Sequence, residues 1–488
     1  MDTVLKSKPQ SEGFRTLDNN AVTISGEAVA AFKASFDGRV VTPNDHGYDE
    51  ARRVWNSLID RRPGLIVQAR GVADVIAAVT FARTHGLLVS VRGGGHNVSG
   101  SAVCDGGLVI DLRDMHAVRV DRKAMTVHVQ GGARLADVDR ETQVYGLVAV
   151  TGNVSDTGIA GLTLCGGMGN LRRKFGLAID NLISAEIVTA SGEVKTASAN
   201  ENADLFWAVR GGGGNFGIVT SFEFRLHRLG PEVFLAAQFF TIDDAPQAMR
   251  RWRDFVEASA EEISSIGFLW TVPATDGFPT ELHGKRTFLY GALYAGSADD
   301  GEKALAPLRG IGKPMLDLSG RAPFTTWQKA FDPFFVRGPV YSEIYAYFKS
   351  IYIRGLEDTL IDDLVDRAKS APTDQCLVAL WHMGGAVTRP ATGDTAFGRR
   401  SAPYLLSYDS CWTNSQQSDA VIQWTREQVD AAKPHSPGGS YLNFQAVGAD
   451  PDTVREAYGP NYDRLAKIKA QYDPTNMFRM NQNILPAV

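Results

Sequence analysis

Cysteine is scarce: there are four in 488 residues, Cys104, Cys165, Cys376 and Cys411, scattered and without a C-x-x-C pair. That spacing argues against a disulfide framework or a thiolate metal site, so free thiols, a cytoplasmic location and no metal are expected. Long apolar runs are missing too. No stretch has the roughly 20 apolar residues that a membrane-spanning helix needs. The opening MDTVLKSKPQSEGF has no apolar segment behind basic residues of the kind that directs secretion. Nor is there any block of Lys or Arg. With 50 basic against 55 acidic side chains and a net charge of −5, no nucleic-acid-binding face is expected. The negative balance also disfavours a highly anionic substrate.

Glycine is the residue in excess, 49 of them, in short clusters between apolar runs. Clusters of that kind mark places where the backbone approaches something closely. Around them the chain divides into regions. Up to residue 228, short apolar runs alternate with helix-like stretches: a strand over Gly64–Arg70, a helix over Val72–Thr84, and a strand over Leu87–Arg92 that enters a glycine loop. Hairpins are predicted for Ala117–Val120 with Ala124–Val129 and for Ala185–Ala190 with Glu193–Ala197. Residues 229–432 hold aromatic-rich strands and three helices with one apolar stripe each, over Pro246–Ala258, Leu356–Ser370 and Gln416–Ala432. One sheet covered by helices on a single side is the simplest arrangement. The remainder, 433–488, offers a strand in SYLNFQ and a helical segment, and is too short to fold alone. The expected architecture is α+β. An N-terminal segment (1–59) packs on a first domain (60–228), a second domain spans 229–432, and 433–488 returns to the first.

Consecutive glycines after a strand can aim several backbone N–H groups at one point and so grip a phosphate without side-chain charge. A single cluster fits a tight turn equally well. Here there are three: Arg92–Gly100 (RGGGHNVSG), Gly158–Gly169 (GIAGLTLCGGMG) and Gly211–Gly217 (GGGGNFG). Together they point to a large cofactor carrying more than one phosphate. Gly212, Gly214 and Gly217 satisfy G-x-G-x-x-G, but the helix-like ADLFWAVR precedes them and the strand-like IVTSFEFRL follows. That order is the reverse of a nicotinamide-binding loop.

The three loops, with YLNF and YDPTNMFRMNQNI near the end, resemble the vanillyl-alcohol oxidase/p-cresol methylhydroxylase flavoproteins, and within them the bacterial berberine-bridge-enzyme-like oxidoreductases. The likeness runs from about Asp60 to Pro486. It implies an FAD domain of two α+β subdomains and a substrate domain whose antiparallel sheet roofs the flavin. It also implies that the histidine of RGGGH, here His96, is bonded to the flavin 8α-methyl, where its imidazole withdraws electrons and makes the ring a stronger oxidant. Cofactor contacts are implied for Arg92, Gly93, Gly94, Gly95, His96, Asn97, Ser99 and Gly100 in the first loop. The second loop would give Gly152, Thr157, Gly158, Gly161, Gly166, Gly167 and Gly169. Gly217, Ile218 and Val219 follow the third, and Tyr441, Asn443 and Asn483 lie near the C-terminus. Some relatives attach FAD a second time through a cysteine. The matching position is Val154, and Cys165 lies eleven residues further on, so a single link through His96 is expected. Thr157 occupies the position that gates dioxygen in plant relatives, usually valine or leucine.

The plant-type base does not carry over, because its tyrosine matches Phe444 and a second active-site tyrosine matches Met168. On the strand matching Pro403–Trp412, alternation puts Leu405, Ser407, Asp409 and Cys411 on one face. A carboxylate there needs water, a partner or a substrate. Asp409 is therefore the leading candidate for the base, with Tyr352 and His382 behind it and Tyr347 a further one. A solvated or ion-paired aspartate and structural roles for the other three stay open. The resemblance implies hydride removal from an alcohol, sugar-hydroxyl or amine-type carbon of a small molecule, with O2 as first-choice acceptor. A flavin dehydrogenase with another acceptor and a flavin-binding protein without turnover are the alternatives.

Overall fold

The computed structural model describes residues 13–338, 341–446 and 451–488. Strands Leu65–Gln68, Leu108–Asp111 and Val89–Arg92 lie parallel, with Arg39–Val41 antiparallel at the edge, and helix Val72–Thr84 joins two of them. The helix forms where predicted because Val75, Ala78, Val79 and Ala82 recur at three-to-four spacing. All four are fully buried against Leu65, Val67, Val89 and Leu108. Its first turn is fixed by the Asp74 carboxylate, which accepts the backbone N–H groups of Asp37 (3.0 Å) and Arg70 (2.9 Å). A second, antiparallel sheet runs in the order Val194–Ser198, Leu182–Val188, Ile218–Arg225, Thr126–Gln130, Val118–Asp121. Both predicted hairpins are in it.

The aromatic-rich strands form one eight-stranded antiparallel sheet. Its main path is Leu316–Asp317, Glu232–Thr241, Arg286–Tyr294, Ile263–Thr271, Cys376–His382, Tyr404–Trp412, Tyr345–Ile353, with Gly320–Pro323 also paired to Glu232–Thr241. Period-two alternation splits its side chains between two cores. Tyr404, Leu406, Tyr408 and Trp412 pack under helices Ala245–Ala258, Asp358–Ala368 and Ser418–Ala432. Phe268, Leu377, Trp381 and Leu405 face the other way, toward Met168, Leu177 and Tyr441. One face is helix-covered and the other meets the glycine loops. Burying a side chain such as Trp252 contributes about 2–3 kcal/mol, and its indole N–H donates to Ser265 Oγ at 2.9 Å, so no buried donor is orphaned.

Polar ties hold the sheet over the loops. Asn56, fully buried, donates to the Val98 carbonyl behind the first loop and to the Ala346 carbonyl of the edge strand (2.8 and 2.9 Å). Arg172, also fully buried, donates to the carbonyls of Gly169 in the second loop and His382 in the sheet (3.1 and 2.7 Å). Lys469 pairs with Asp473 and donates to the Asn215 carbonyl of the third loop (2.7 Å), while Asn215 Oδ1 accepts the Ile484 N–H (3.0 Å). The C-terminal run is thereby drawn onto the first region. SYLNFQ corrects the prediction: it contains no strand but a 3-10 turn, Leu442–Phe444. The turn is set from outside, by Tyr441 N–H donating to Ser350 Oγ (3.0 Å) and Asn443 Nδ2 to the Leu162 carbonyl (3.0 Å). Among the described residues all four cysteines are unpaired, no helix is long and apolar enough to cross a membrane, and no cluster of His, Cys, Asp or Glu is placed to hold a metal.

Candidate active site

A cavity of about 270 Å³ lies between the helix-free sheet face and the glycine loops. Its wall includes Gly93, Gly94, Gly95, His96 and Asn97 from the first loop, and Thr157, Gly158 and Gly161 from the second. Gly217, Ile218, Val219, Tyr441 and Asn443 complete the predicted set that lines it. The first two loops touch backbone to backbone: a Cβ on Gly158 would stand 2.3 Å from Gly94 N, and one on Gly94 would stand 2.4 Å from Gly158 N. Elsewhere the wall is bare. A Cβ at Gly161 or Gly214 would meet nothing within 4 Å, so each glycine leaves space that a side chain would fill. Gly158→Ala is expected to push the two loops apart and to yield protein with less than about half the flavin absorbance per chain. Parent-like flavin content in that variant would show that the close approach is not needed.

His96 follows Gly95, whose φ of +71° is open to glycine at little cost. Its ring stacks on Trp55 (centroids 4.4 Å, planes 21° apart), and Trp55 Nε1 donates to the Phe335 carbonyl at 2.6 Å. His96 Nε2 is buried with no hydrogen-bond partner. Burial lowers the imidazole to a pKa of about 4, so the ring is neutral and its nitrogen lone pair is free at pH 7. Cys165 also lines the cavity, but burial pushes its thiol up to about 12, which keeps it protonated and a poor nucleophile.

Several predicted contacts belong behind the wall instead. Arg92 braces the first loop from below, donating to the Ala51 and Arg53 carbonyls at 2.7 Å each. Ser99 turns back to hold Asn97 and Ser101, and Gly100 sits against Ile59. Gly152, Gly166, Gly167 and Gly169 pack against Leu162, Phe397, Ala178 and the Thr151 carbonyl, where no Cβ fits. Asn483 is outside the wall, although Met480, Asn481 and Gln482 are in it.

Of the candidate bases, Asp409 alone lines the cavity. It is 6 % exposed, and Phe348 and Leu377 flank it across the sheet. Trp381 Nε1 donates to Ser407 Oγ (3.2 Å), and Ser407 in turn bonds to the Asp409 carboxylate, whose Oδ1 has no partner. Burial raises the carboxyl to about 7 despite the lowering bond from Ser407. The other candidates fail on position. His382 lies on the helix side against Tyr404 (5.4 Å), held neutral by burial and the neighbouring Arg173 and Arg172. Tyr347 is on that side too, its hydroxyl accepting from Arg426 Nε at 3.1 Å. Tyr352 faces the loops but lines a separate small cleft with Phe397 and Tyr458. Met168 and Phe444 do line the cavity and bring no proton acceptor. Tyr441 is a support: its hydroxyl accepts the Met168 N–H (3.2 Å) and Asn443 Nδ2 (2.9 Å).

The family described as FAD binding domain matches residues 63–198, and the one described as Berberine and berberine like matches 440–485. (R)-6-hydroxynicotine oxidase of Paenarthrobacter nicotinovorans is 32% identical over 482 residues, covering 93% of this chain and 97% of the relative. The chain belongs to the berberine-bridge-enzyme-like FAD-linked oxidoreductases. Another relative in this family, FAD-linked oxidoreductase pgmH of Aspergillus terreus, is 30% identical over 500 residues, covering 96% and 98% of the two chains. The crystal structure of 6-hydroxy-D-nicotine oxidase from Arthrobacter nicotinovorans superposes with a TM-score of 0.83 at 28% identity, covering 93% of this chain and 99% of that one. The protein is thus an FAD-dependent oxidoreductase. Its cavity fits that cofactor on its own terms, since glycines leave the wall bare where a Cβ would intrude and the His96 Nε2 is unclaimed. Sequence reasoning passed over Trp55 and Asn56, which fix the His96 loop, and over Phe331, Phe335 and Trp381, which complete the wall. Alternation could have found Trp381, because it shares a face with Leu377 and Ala379 while His382 does not.

Proposed function

We propose that this oxidoreductase oxidises a small molecule at a carbon bearing a hydroxyl or an amine, with FAD tethered to His96 and O2 as the final acceptor, giving H2O2. The observation that carries the reading is Asp409: a carboxyl poised near neutrality, with one free oxygen, in the same wall as the glycine loops and His96. When bound, FAD supplies the acceptor for the hydride leaving the substrate carbon. Asp409 Oδ1 takes the proton from the hydroxyl or amine, while Ser407 steadies the other oxygen. Phe348, Trp381 and Phe444 keep water from that carboxyl, which sharpens its attraction for a substrate proton. Relatives named for a hydroxynicotine and for chitooligosaccharides leave both amines and sugars open as substrate classes.

The test is anaerobic mixing with a panel of alcohols, amines and sugars, followed by air. The expected result is loss of the flavin's blue absorbance with at least one compound, then rapid recovery with one H2O2 per turnover. Thr157, where plant relatives carry valine or leucine, favours a second reading in which a quinone or dye takes the electrons. Sluggish recovery in air together with fast recovery on adding a quinone would transfer the assignment to it.

A further inference from the structure

Beside the cofactor cavity lies a second chamber of about 130 Å³, and the two share the side chains of Phe268, Phe331, Phe335 and Leu377. One side of the chamber is the sheet face, with Phe239, Trp270 and Leu289. The other is the segment that carries helices Phe324–Gln328 and Asp332–Phe335, contributing Trp327 and Phe334. That segment is anchored to the FAD-binding loops, since Asp332 accepts the Ser155 N–H at 2.8 Å and Phe335 the Trp55 indole. Among the described residues no charged side chain lines the chamber; its polar groups are those of Tyr341, Gln375 and Cys411 and the indole N–H groups of Trp270 and Trp327, the last buried without a partner.

We infer that this chamber receives an aromatic ring of the substrate, so that the enzyme acts on aryl alcohols or aryl amines and not on carbohydrates. The inference rests on the proposed oxidation at Asp409. Size agrees: apolar cavities of about 150 Å³ take up a single benzene ring. Shape agrees as well. Trp270 and Phe334 meet edge to face (4.8 Å, 73°), and Phe268 and Phe331 are tilted at 5.3 Å, a lining into which another ring packs by the same edge-and-face contacts. The floor is cleared by two small residues paired across strands, Ala237 and Gly291. Reach is set by the strand: Cys411 lines the chamber and Asp409 the cofactor cavity, two residues apart on one face, about 6.8 Å. A fused bicycle, or a ring two or three atoms from the reacting carbon, spans that separation. A sugar would strip most of its hydroxyls of water against phenyl and indole surfaces, with too few polar groups in the lining to replace it.

The experiment compares naphthalen-2-ylmethanol, 3-phenylpropan-1-ol and the corresponding amines with glucose and cellobiose, by anaerobic flavin bleaching and by steady-state turnover with O2 or a quinone as acceptor, on the parent holoenzyme and on Ala237→Leu, which fills the floor. Expected are kcat/KM values for at least one aryl compound about 100-fold above both sugars, and a KM for it raised about tenfold or more in the variant with a smaller change in kcat. Sugars bleaching the flavin as well as the aryl compounds, or an aryl KM unmoved in Ala237→Leu, would overturn the inference while leaving the oxidase reading intact. Bleaching by none of them would remove both. If Ala237→Leu is isolated without flavin, Phe334→Ala makes the same comparison from the half-buried outer wall, where loss of one ring face also raises the aryl KM.

Discussion

His96→Ala is expected to release all of its FAD into the supernatant on acid precipitation, whereas the parent protein keeps its flavin in the pellet. A proteolytic peptide of the parent containing Arg92–Gly100 should carry the mass of the cofactor, and the variant's should not. The expectation follows from the surroundings of the ring. Trp55 and the Phe335 backbone hold it in one orientation, burial keeps it neutral, and Nε2 is left without a partner. A neutral imidazole with a free lone pair is the state that can form a carbon–nitrogen bond. Losing the tether should also lower the flavin's oxidising power, and with it the rate of substrate-driven bleaching by about tenfold or more. Trp55→Ala should retain attachment in part, because the stack contributes only about 0.5–1.5 kcal/mol. Acid-treated parent protein that frees all its flavin would end the assignment.

The three glycine clusters were legible because each breaks a different pattern: strand then glycines, glycines then short helix, helix then glycines then strand. That order excluded a nicotinamide loop, and helix Ala203–Val209 followed by strand Ile218–Arg225 bears it out. The two faces of the large sheet could be read from alternation. What local pattern could not supply is whatever a distant residue imposes. The 3-10 turn at Leu442–Phe444 depends on Ser350 and Leu162. The inward position of Arg92 depends on carbonyls of Ala51 and Arg53 in a segment whose sequence, ARRVWNS, looks like an exposed stretch. Tyr352 and His382 were chosen for their chemistry. Their parity along the strands, which was available, ruled out the helix-facing His382, but no local rule separates Tyr352's cleft from the main cavity.

Asp409→Asn should lower the rate of anaerobic flavin reduction by about 10²–10⁴-fold, the range over which a positioned base acts, while leaving the flavin bound. The amide matches the carboxyl in shape, so Ser407 keeps a partner, yet it cannot take a proton. In the parent enzyme the base must be ionised to act. With its pKa raised to about 7, the reduction rate should climb with pH through that value and level off above it. The variant's residual rate should lose the step. Stability gives an independent reading with the opposite sign. Burial makes the folded protein bind this proton more tightly than the unfolded chain, whose aspartate titrates near 3.8. Any stability owed to the neutral form is therefore lost as pH rises from about 4 through 7. Asp409→Asn, permanently neutral, should melt above the parent at pH 8 and level with it at pH 4. Asp139, another buried carboxyl raised to about 7, titrates equally in both proteins and cancels in the difference. A variant that kept full reduction rates while showing the pH 8 stabilisation would leave Asp409 a buried charge without a catalytic part, and the base would have to be sought on the substrate itself.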